Sequence, residues 1–523
     1  MRWNIKRNAT FMLAMLSIFI AAGFLSYLNI LTSFFIADDF GQINRVVTHG
    51  PWAFFLKPCG WVFYRPLYFV SLYADYMLWG LNPVGYHTVN IILHAFNAFL
   101  VFWLALLLTE EISSAGEYGY CIALASGFFF LVLPSHTEAV TWISCRGDVL
   151  ATFFALSSFV SYLYFRRLHL IGYYMISLML FTCALFTKES TVVFPLFIFF
   201  YELYRLFSGG RDVVNVTARL SSGLPYALIL FLYFIARYSA LGAVIGGYGR
   251  ERHVPHDIVR IAGNIVVFSA RALFPPMRAL KAIFAIVCIV WIWLCYKSRK
   301  NRALMLLSLF LLSSFLLFLL PVIGLSINYA KDTQGERFVY LPSVFIVVFV
   351  VFMFYYALRK RVMIFLSFGL CIAASCAILL WKTNGNWNKA GIISKNIVYS
   401  LNKVPQANTI FIISLPDTIN GAYIFRNGIL SAFDLFVGRD YFKRIYVLSL
   451  CDISNENDGI VITSNGDYYY VGLISKNGNF KKINRYYCSR ISTMRFVFNK
   501  PKAREVAPVI FYASGKVGMR IVE

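Results

Sequence analysis

Charge is scarce in this chain. Of its 523 residues only 14% are Asp, Glu, Lys or Arg, and 24 acidic residues face 48 basic ones. An ordinary soluble domain is about a quarter charged, so a single soluble globule is excluded. The 59% share of hydrophobic residues and the mean hydropathy of +0.67 exclude a disordered chain as well. No Cys-x-x-Cys pair occurs, which argues against a zinc site or a disulfide scaffold. Five of the ten cysteines (Cys121, Cys183, Cys288, Cys371 and Cys376) sit in apolar runs, where the thiol behaves as a small hydrophobe. Internal repeats and low-complexity tracts are missing too. What is abundant is apolar sequence in runs of bilayer-spanning length, with a net charge of +24. On a soluble chain that excess points to nucleic acid. On a membrane chain it comes from basic cytoplasmic loops, so no nucleic-acid partner is expected.

The runs define a membrane plan. Arg2, Lys6 and Arg7 precede an uncharged stretch from Ala9 to Ala37. That stretch exceeds the apolar core of a signal peptide and is read as an uncleaved first helix, basic end inside; cleavage near Gly23 is the alternative. Further runs follow at about 86–108, 119–134, 148–165, 170–186, 190–206, 223–240, 280–296, 303–326, 338–358 and 362–381. This gives roughly eleven crossings of adequate length. Residues 254–278 are apolar but contain Arg260, Arg271 and Pro275-Pro276. If they do not cross, Arg166-Arg167, the loop with Arg205, Arg211 and Arg219, the run 297–302 and Arg359-Lys360-Arg361 all fall on the N-terminal side. That arrangement obeys the positive-inside rule, and the non-crossing reading is preferred. Glu110-Glu111 then also falls inside, a misfit that the rule weights little.

Beyond about Trp381 the composition turns soluble. Short apolar runs at 409–415, 444–450, 459–463, 468–474, 494–498 and 508–512 alternate with turn residues, and Asn-Gly pairs fall at 427–428, 465–466 and 477–478. These are strand and turn signals. The expected fold is an all-α polytopic membrane protein with a small C-terminal β-rich domain. The boundary is placed between 1–381 and 382–523, with the second part extracytoplasmic.

This plan sorts the remaining polar residues to one side. Asp38, Asp39, Tyr64, Arg65, His136, Glu138, Arg146, Asp148, Lys188, Glu189, the 250–256 cluster, Lys331, Asp332, Glu336 and Arg337 all fall at outer loops or helix ends. Each alone reads as a solvated residue or a structural ion pair. Together they read as an outward-facing polar cavity, since charge near membrane depth tends to mark function. Adjacent Asp38-Asp39 can supply a general base tuned by its neighbour. Arg65, Lys188 and Arg337 can hold a phosphate, which at a membrane surface suggests a lipid phosphate. Trp52, Trp61, Phe63, Tyr64 and Tyr68 read first as interfacial aromatics and second as sugar-stacking ones.

Several ordered segments resemble the GT-C superfamily of polytopic glycosyltransferases, above all its O-mannosyltransferase branch with transmembrane and TPR regions. They are Ala37-Asp38-Asp39-Phe40, Tyr64-Arg65-Pro66-Leu67, and residues 78–87 (LWGLNPVGYH) continuing through Asn90, His94 and Asn97. Next come residues 134–140 (PSHTEAV) with Arg146-Gly147-Asp148, then Thr187-Lys188-Glu189-Ser190, and residues 336–343 (ERFVYLPS). The likeness covers about residues 10–380. It implies a polyprenyl-phosphate hexose donor, undecaprenyl phosphate if bacterial, and inverting transfer to an acceptor hydroxyl on a glycan, lipid or protein. It implies Asp38 as base with Asp39 supporting. Arg65, Lys188 and Arg337 would hold the donor phosphate. Tyr64, His136, Glu138, Arg146, Asp148, Glu189 and Tyr340 would shape the sugar and acceptor pocket. No metal is obligatory, though a divalent ion is compatible. His87 and His94 read as buried structural residues. No TPR array follows, which departs from that branch and leans toward a bacterial inner membrane with the site facing the periplasm.

An O-antigen polymerase or ligase is the alternative enzyme; those use a pyrophosphate donor and usually lack an Asp-Asp pair after the first helix. A flippase or transporter would place its ionisable groups near the bilayer midplane, not at helix ends on one side. Reporter fusions beyond residue 390 are expected to report an extracytoplasmic tail. A cytoplasmic signal there would overturn the charge-based topology and restore a crossing by 254–278.

Overall fold

The structure, a computed structural model, describes residues 9–56, 63–111, 118–208, 221–244, 258–276, 301–325, 333–358 and 361–401, scattered positions between 282 and 296, and most of 407–520. Arg2, Lys6, Arg7, Trp61, Arg211, Arg219, the 250–256 cluster, Lys297, Arg299, Lys300, Lys331, Asp332, Arg359, Lys360, Asn477-Gly478 and most of the run at 280–296 lie outside the described residues.

The helices are α1 Ala9–Tyr27, α2 Asp38–His49, α3 Pro66–Trp79, α4 Pro83–Glu111, α5 Gly119–Leu131, α6 Thr137–Thr141, α7 Arg146–Leu168 and α8 Ile171–Thr187. They continue with α9 Phe194–Phe207, α10 Leu224–Leu241, α11 Ile258–Leu273, α12 Arg302–Leu319, α13 Tyr340–Leu358, α14 Val362–Leu401 and α15 Ile429–Phe436. Among the described residues eight helices are long and apolar enough to cross a membrane. A ninth would be the pair Gly119–Leu131 and Pro134–Thr141, bent by 49°, and Ile171–Thr187 is a shorter apolar helix. Every expected run other than 280–296 therefore lies on a described helix, and the chain is a polytopic membrane protein. The α11 helix is not among the candidate spans. It exposes Ile258 and Val259 and buries Phe268 and Arg271, the amphipathic pattern of a surface or interfacial helix.

Polar residues within the bundle bond internally, as an apolar solvent demands. On α4, Asn90, His94 and Asn97 are all buried. Asn90 donates to the Val140 carbonyl at 3.1 Å, Asn97 to the Val149 carbonyl at 2.9 Å, and His94 lies 2.7 Å from the Tyr340 hydroxyl. The misfit of Glu110-Glu111 also finds its reason. Glu110 pairs with Arg167, and Glu111 pairs with Arg205 at 3.3 Å. Both carboxylates are counter-ions of the basic cluster at their own end of the bundle.

Two local devices shape the end of the bundle that carries Asp38 and Arg65. Asp38 and Asp39 occupy the first turn of α2, where negative charge complements the helix dipole. Pro66 opens α3 at a position that needs no N–H.

The α14 helix passes residue 381 without a break, so the change to soluble composition falls inside a helix. Strands begin at β1 Ala407–Ile419, followed by β2 Ala422–Tyr423, β3 Phe442–Val447, β4 Ser449–Ile453, β5 Ile460–Asn465 and β6 Tyr468–Leu473. Then come β7 Phe480–Ile483, β8 Cys488–Ser492, β9 Arg495–Asn499, β10 Val509–Ala513 and β11 Lys516–Arg520. The long β1 is the hub: β3, β4 and β10 all pair with it in parallel. A second sheet runs antiparallel in the order β5-β6-β9-β8. The β5–β6 hairpin turns at Gly466-Asp467, with Asn465 the last paired residue of β5, so the turn falls one residue later than the Asn-Gly pair that signals it. The helix α15 was not legible; parallel strands need a crossover, and α15 lies in the connection that leads to β3.

The apolar core is divided. One cluster fills the helix bundle. A second joins residues 34–46, Trp387 to Val398 of α14, and the C-terminal strands. Helix α2 and the C-terminal sheet thus share a core.

Candidate active site

The α2 turn is built under strain. Ala37, which precedes the helix, has φ of +45°. An L-residue there is disfavoured by about 1–3 kcal/mol. The turn is held by Asp39, which is 1% exposed. Its Oδ2 accepts from the Ile36 amide at 3.1 Å, and its Oδ1 accepts from the Ser144 amide at 2.8 Å and the Ser144 hydroxyl at 2.6 Å. Burial pushes the Asp39 carboxyl up to about 7 despite those donors. With Asp39 turned inward, Asp38 is left at the surface of a cleft.

That cleft encloses about 790 Å³ of empty space open to solvent. It is lined by Asp38, Gln42 and Arg45 of α2, by Arg65, Tyr68 and Phe69 around the start of α3, and by Trp142, Ser144, Cys145 and Asp148. Phe54, Phe63, Lys188 and Arg337 complete the wall. Residues far apart along the chain, 38, 65, 188 and 337, therefore meet in one place.

Each expected phosphate ligand is braced by a carboxylate. Arg65 pairs with Glu189 through two of its nitrogens, Nε at 2.8 Å; the fork geometry fixes the guanidinium plane. Lys188, just past the end of α8, pairs with Asp148 in the first turn of α7 at 2.5 Å. Arg337 pairs with Glu138, whose second oxygen accepts the Arg337 amide at 2.9 Å. The guanidinium of Arg337 also lies 5.2 Å from the Trp142 ring, and that of Arg65 4.1 Å from Phe63. Four lining residues are cationic and two are carboxylates, so the cleft suits an anion held beside one base. Tyr68 adds a buried hydroxyl with no hydrogen-bond partner among the described residues. Burial drives its phenol well above the ordinary value, which keeps it a donor.

The expected residues thus divide. Asp38, Arg65, Asp148, Lys188 and Arg337 line the cleft. Asp39, Glu138 and Glu189 stand behind it and brace what does. Arg146 is fully buried. It pairs with Asp75 at 2.5 Å and donates to Asn90 Oδ1 at 2.7 Å and the Tyr86 carbonyl at 2.9 Å, so it ties helices together rather than facing a ligand. His136 bonds Ser343 at 2.8 Å inside the bundle, and Tyr340 bonds His94 and Asn97. Tyr64 is buried against Phe186 and Tyr233. None of these four lines the cleft; their side chains are buried among the helices.

Sequence reasoning missed Gln42, Arg45, Phe54, Phe69, Trp142, Ser144 and Cys145. Positions 38, 42 and 45 follow the helical i, i+4, i+7 spacing; reading 38–49 as a helix instead of a loop would have found the first two.

No family profile matches the chain. Its sequence is similar to protein O-mannosyl-transferases, the class its motifs resemble. Protein O-mannosyl-transferase Tmtc1 of Drosophila melanogaster is 34% identical over 189 residues, 33% of this chain and 21% of that protein. Human protein O-mannosyl-transferase TMTC1 is 33% identical over 153 residues, 27% of this chain and 17% of that protein. The match spans about a fifth of these relatives' own length. Among solved structures, ArnT from Cupriavidus metallidurans bound to undecaprenyl phosphate has a TM-score of 0.43 and 11% identity, covering 95% of this chain and 99% of its own. The oligosaccharyltransferase AglB from Archaeoglobus fulgidus, in complex with an inhibitory peptide and a dolichol-phosphate, has a TM-score of 0.45 and 12% identity, covering 90% and 75%. Overlaps this loose carry no inference about chemistry. The resemblance to O-mannosyltransferases read from the motifs is found again in the sequence comparison.

The Arg146–Asp75 pair yields a stability prediction. Asp75→Ala leaves a buried guanidinium uncompensated and should destabilise by about 3–5 kcal/mol. Thermal unfolding in detergent should show a lowered midpoint, partly restored in Asp75→Ala/Arg146→Met. An unchanged midpoint in Asp75→Ala would show that the pair is not structural.

Proposed function

We propose that the protein is an inverting glycosyltransferase that moves a hexose from a polyprenyl-phosphate donor to an acceptor hydroxyl on the extracytoplasmic face of its membrane. One observation carries this reading: Asp38, Arg65, Lys188 and Arg337 share a single open cleft. The similarity to O-mannosyl-transferases supports the class of reaction.

In this mechanism Arg65, Lys188 and Arg337 bind the donor phosphate, and their carboxylate partners keep them in place before it arrives. Such preorganisation spares reorganisation in the transition state. The acceptor hydroxyl enters beside Asp38. As its oxygen bonds to the sugar's anomeric carbon, its proton passes to the Asp38 carboxylate. The bond from that carbon to the phosphate oxygen breaks, and the electron pair leaves with the lipid phosphate. Attack opposite the leaving group inverts the anomeric centre. The leaving group is already anionic and gains charge that the three cations offset. Among the described residues no group of three or more His, Cys, Asp or Glu is arranged to hold a metal ion. Tyr68 and the aromatic wall of Phe54, Phe63, Phe69 and Trp142 are placed to meet the sugar or the first part of the lipid. Undecaprenyl phosphate is the carrier expected for a bacterial inner membrane.

Purified protein incubated with a panel of undecaprenyl-phosphate sugars and candidate acceptors should release lipid phosphate. Asp38→Asn should reduce turnover by about 100-fold or more, the scale of a lost general base, with membrane insertion intact. Asp39→Asn should act through the turn it holds. Normal turnover in both variants would remove the proposed base.

A further inference from the structure

The segment from Tyr423 to Gly428 belongs to the C-terminal unit, yet it is moulded onto the Ala37–Asp38 turn nearly 390 residues earlier in the chain. The contacts are of different kinds. The Ala37 amide donates to the Ile424 carbonyl at 2.8 Å. The Asn427 amide nitrogen donates to Asp38 Oδ1 at 3.1 Å. Gly428 has φ of +96°, and a Cβ there would stand 2.1 Å from the Ala37 carbonyl oxygen, so only glycine permits the approach. Phe425 stacks on Phe40, the residue after the acidic pair, with centroids 5.7 Å apart and planes at 8°. Farther along, Asn44 of α2 donates to Asp434 of α15 at 2.9 Å. On the other side, Arg337 hydrogen-bonds the Tyr423 hydroxyl, and Tyr423 packs 4.8 Å from Trp142.

Two of the cleft's charged groups, Asp38 and Arg337, are thus each held from the same short segment. Asn427 carries no ionisable group and does not line the cleft, so its role is exerted through Asp38. We infer that Asn427 is a positioning residue for the Asp38 base. Its amide hydrogen-bonds one carboxylate oxygen and fixes the rotation of the group, while Gly428 and the Ile424 carbonyl hold the strained turn beneath it. The C-terminal unit is therefore part of the catalytic apparatus. This rests on Asp38 being the base.

Asn427→Asp tests it in the full-length protein, because the shape is kept while the donor is lost and a like charge is set beside Asp38. The expected result is a fall in kcat of about 10- to 100-fold, the scale of a hydrogen bond to a charged group, with the donor KM within about twofold. Asn427→Gln, which keeps an amide on a longer arm, should recover part of that loss, and Asn427→Asp should unfold at the parent's temperature. Undiminished kcat in Asn427→Asp, or a loss carried by donor KM, overturns the inference. Gly428→Ala should also lose kcat; full activity there overturns the role of the close approach. If the unaltered protein transfers no sugar from any donor, the glycosyltransferase reading itself fails. If it transfers and Asn427→Asp matches it, only the positioning role fails.

Discussion

A charge removed from water must be paired, and that demand organises this molecule. Burying an isolated ion is far costlier than burying a well-bonded pair. Here the pairs join segments remote in sequence: Arg65 with Glu189, Lys188 with Asp148, Arg337 with Glu138, Arg146 with Asp75, Arg271 with Glu336. Each pair pins one helix end to another. The cleft is what remains where several pinned ends meet, and its cations are already oriented by their partners. The contacts that hold the proposed phosphate ligands also join the helices, so a substitution behind the cleft is expected to disturb both stability and the proposed transfer.

Much of this was legible from the sequence, for a physical reason. Apolar runs of spanning length leave little freedom in a bilayer, so the helices at 83–111, 302–319 and 340–358 stand where hydropathy puts them. Charge asymmetry sorted Asp38, Arg65, Lys188 and Arg337 to one side, and they do share a cleft. What hydropathy does not encode is which way a polar side chain turns. Asp38 and Asp39 are adjacent and chemically alike, yet successive helical residues point about 100° apart. One lines the cleft while the other is buried under three hydrogen bonds. His136, Arg146 and Tyr340 sit in motif segments for the same apparent reason as the cleft residues, but their partners lie within the bundle.

The C-terminal region shows the opposite limit. Its strands were visible as short apolar runs between turn residues, and β5, β6 and β9 lie on them. Its packing was not visible, since no local pattern says that Phe425 will stack on Phe40 or that Gly428 will lie against Ala37. Such contacts depend on two surfaces folding to match. The shared apolar core of residues 34–46, the second half of α14 and the strands ties the turn carrying Asp38 to the sheet. Motion of either part would move the other.

The central claim is that an anionic lipid headgroup sits among Arg65, Lys188 and Arg337, beside Asp38 but not held by it. Binding of undecaprenyl phosphate to the purified protein, titrated in detergent or nanodiscs, tests this without requiring the right sugar or acceptor. The account predicts saturable binding, weakened about tenfold or more by Lys188→Gln or Arg337→Gln, the loss expected when one charge-assisted bond is removed, and preserved in Asp38→Asn. Equal affinity in the cation variants and the parent would contradict it.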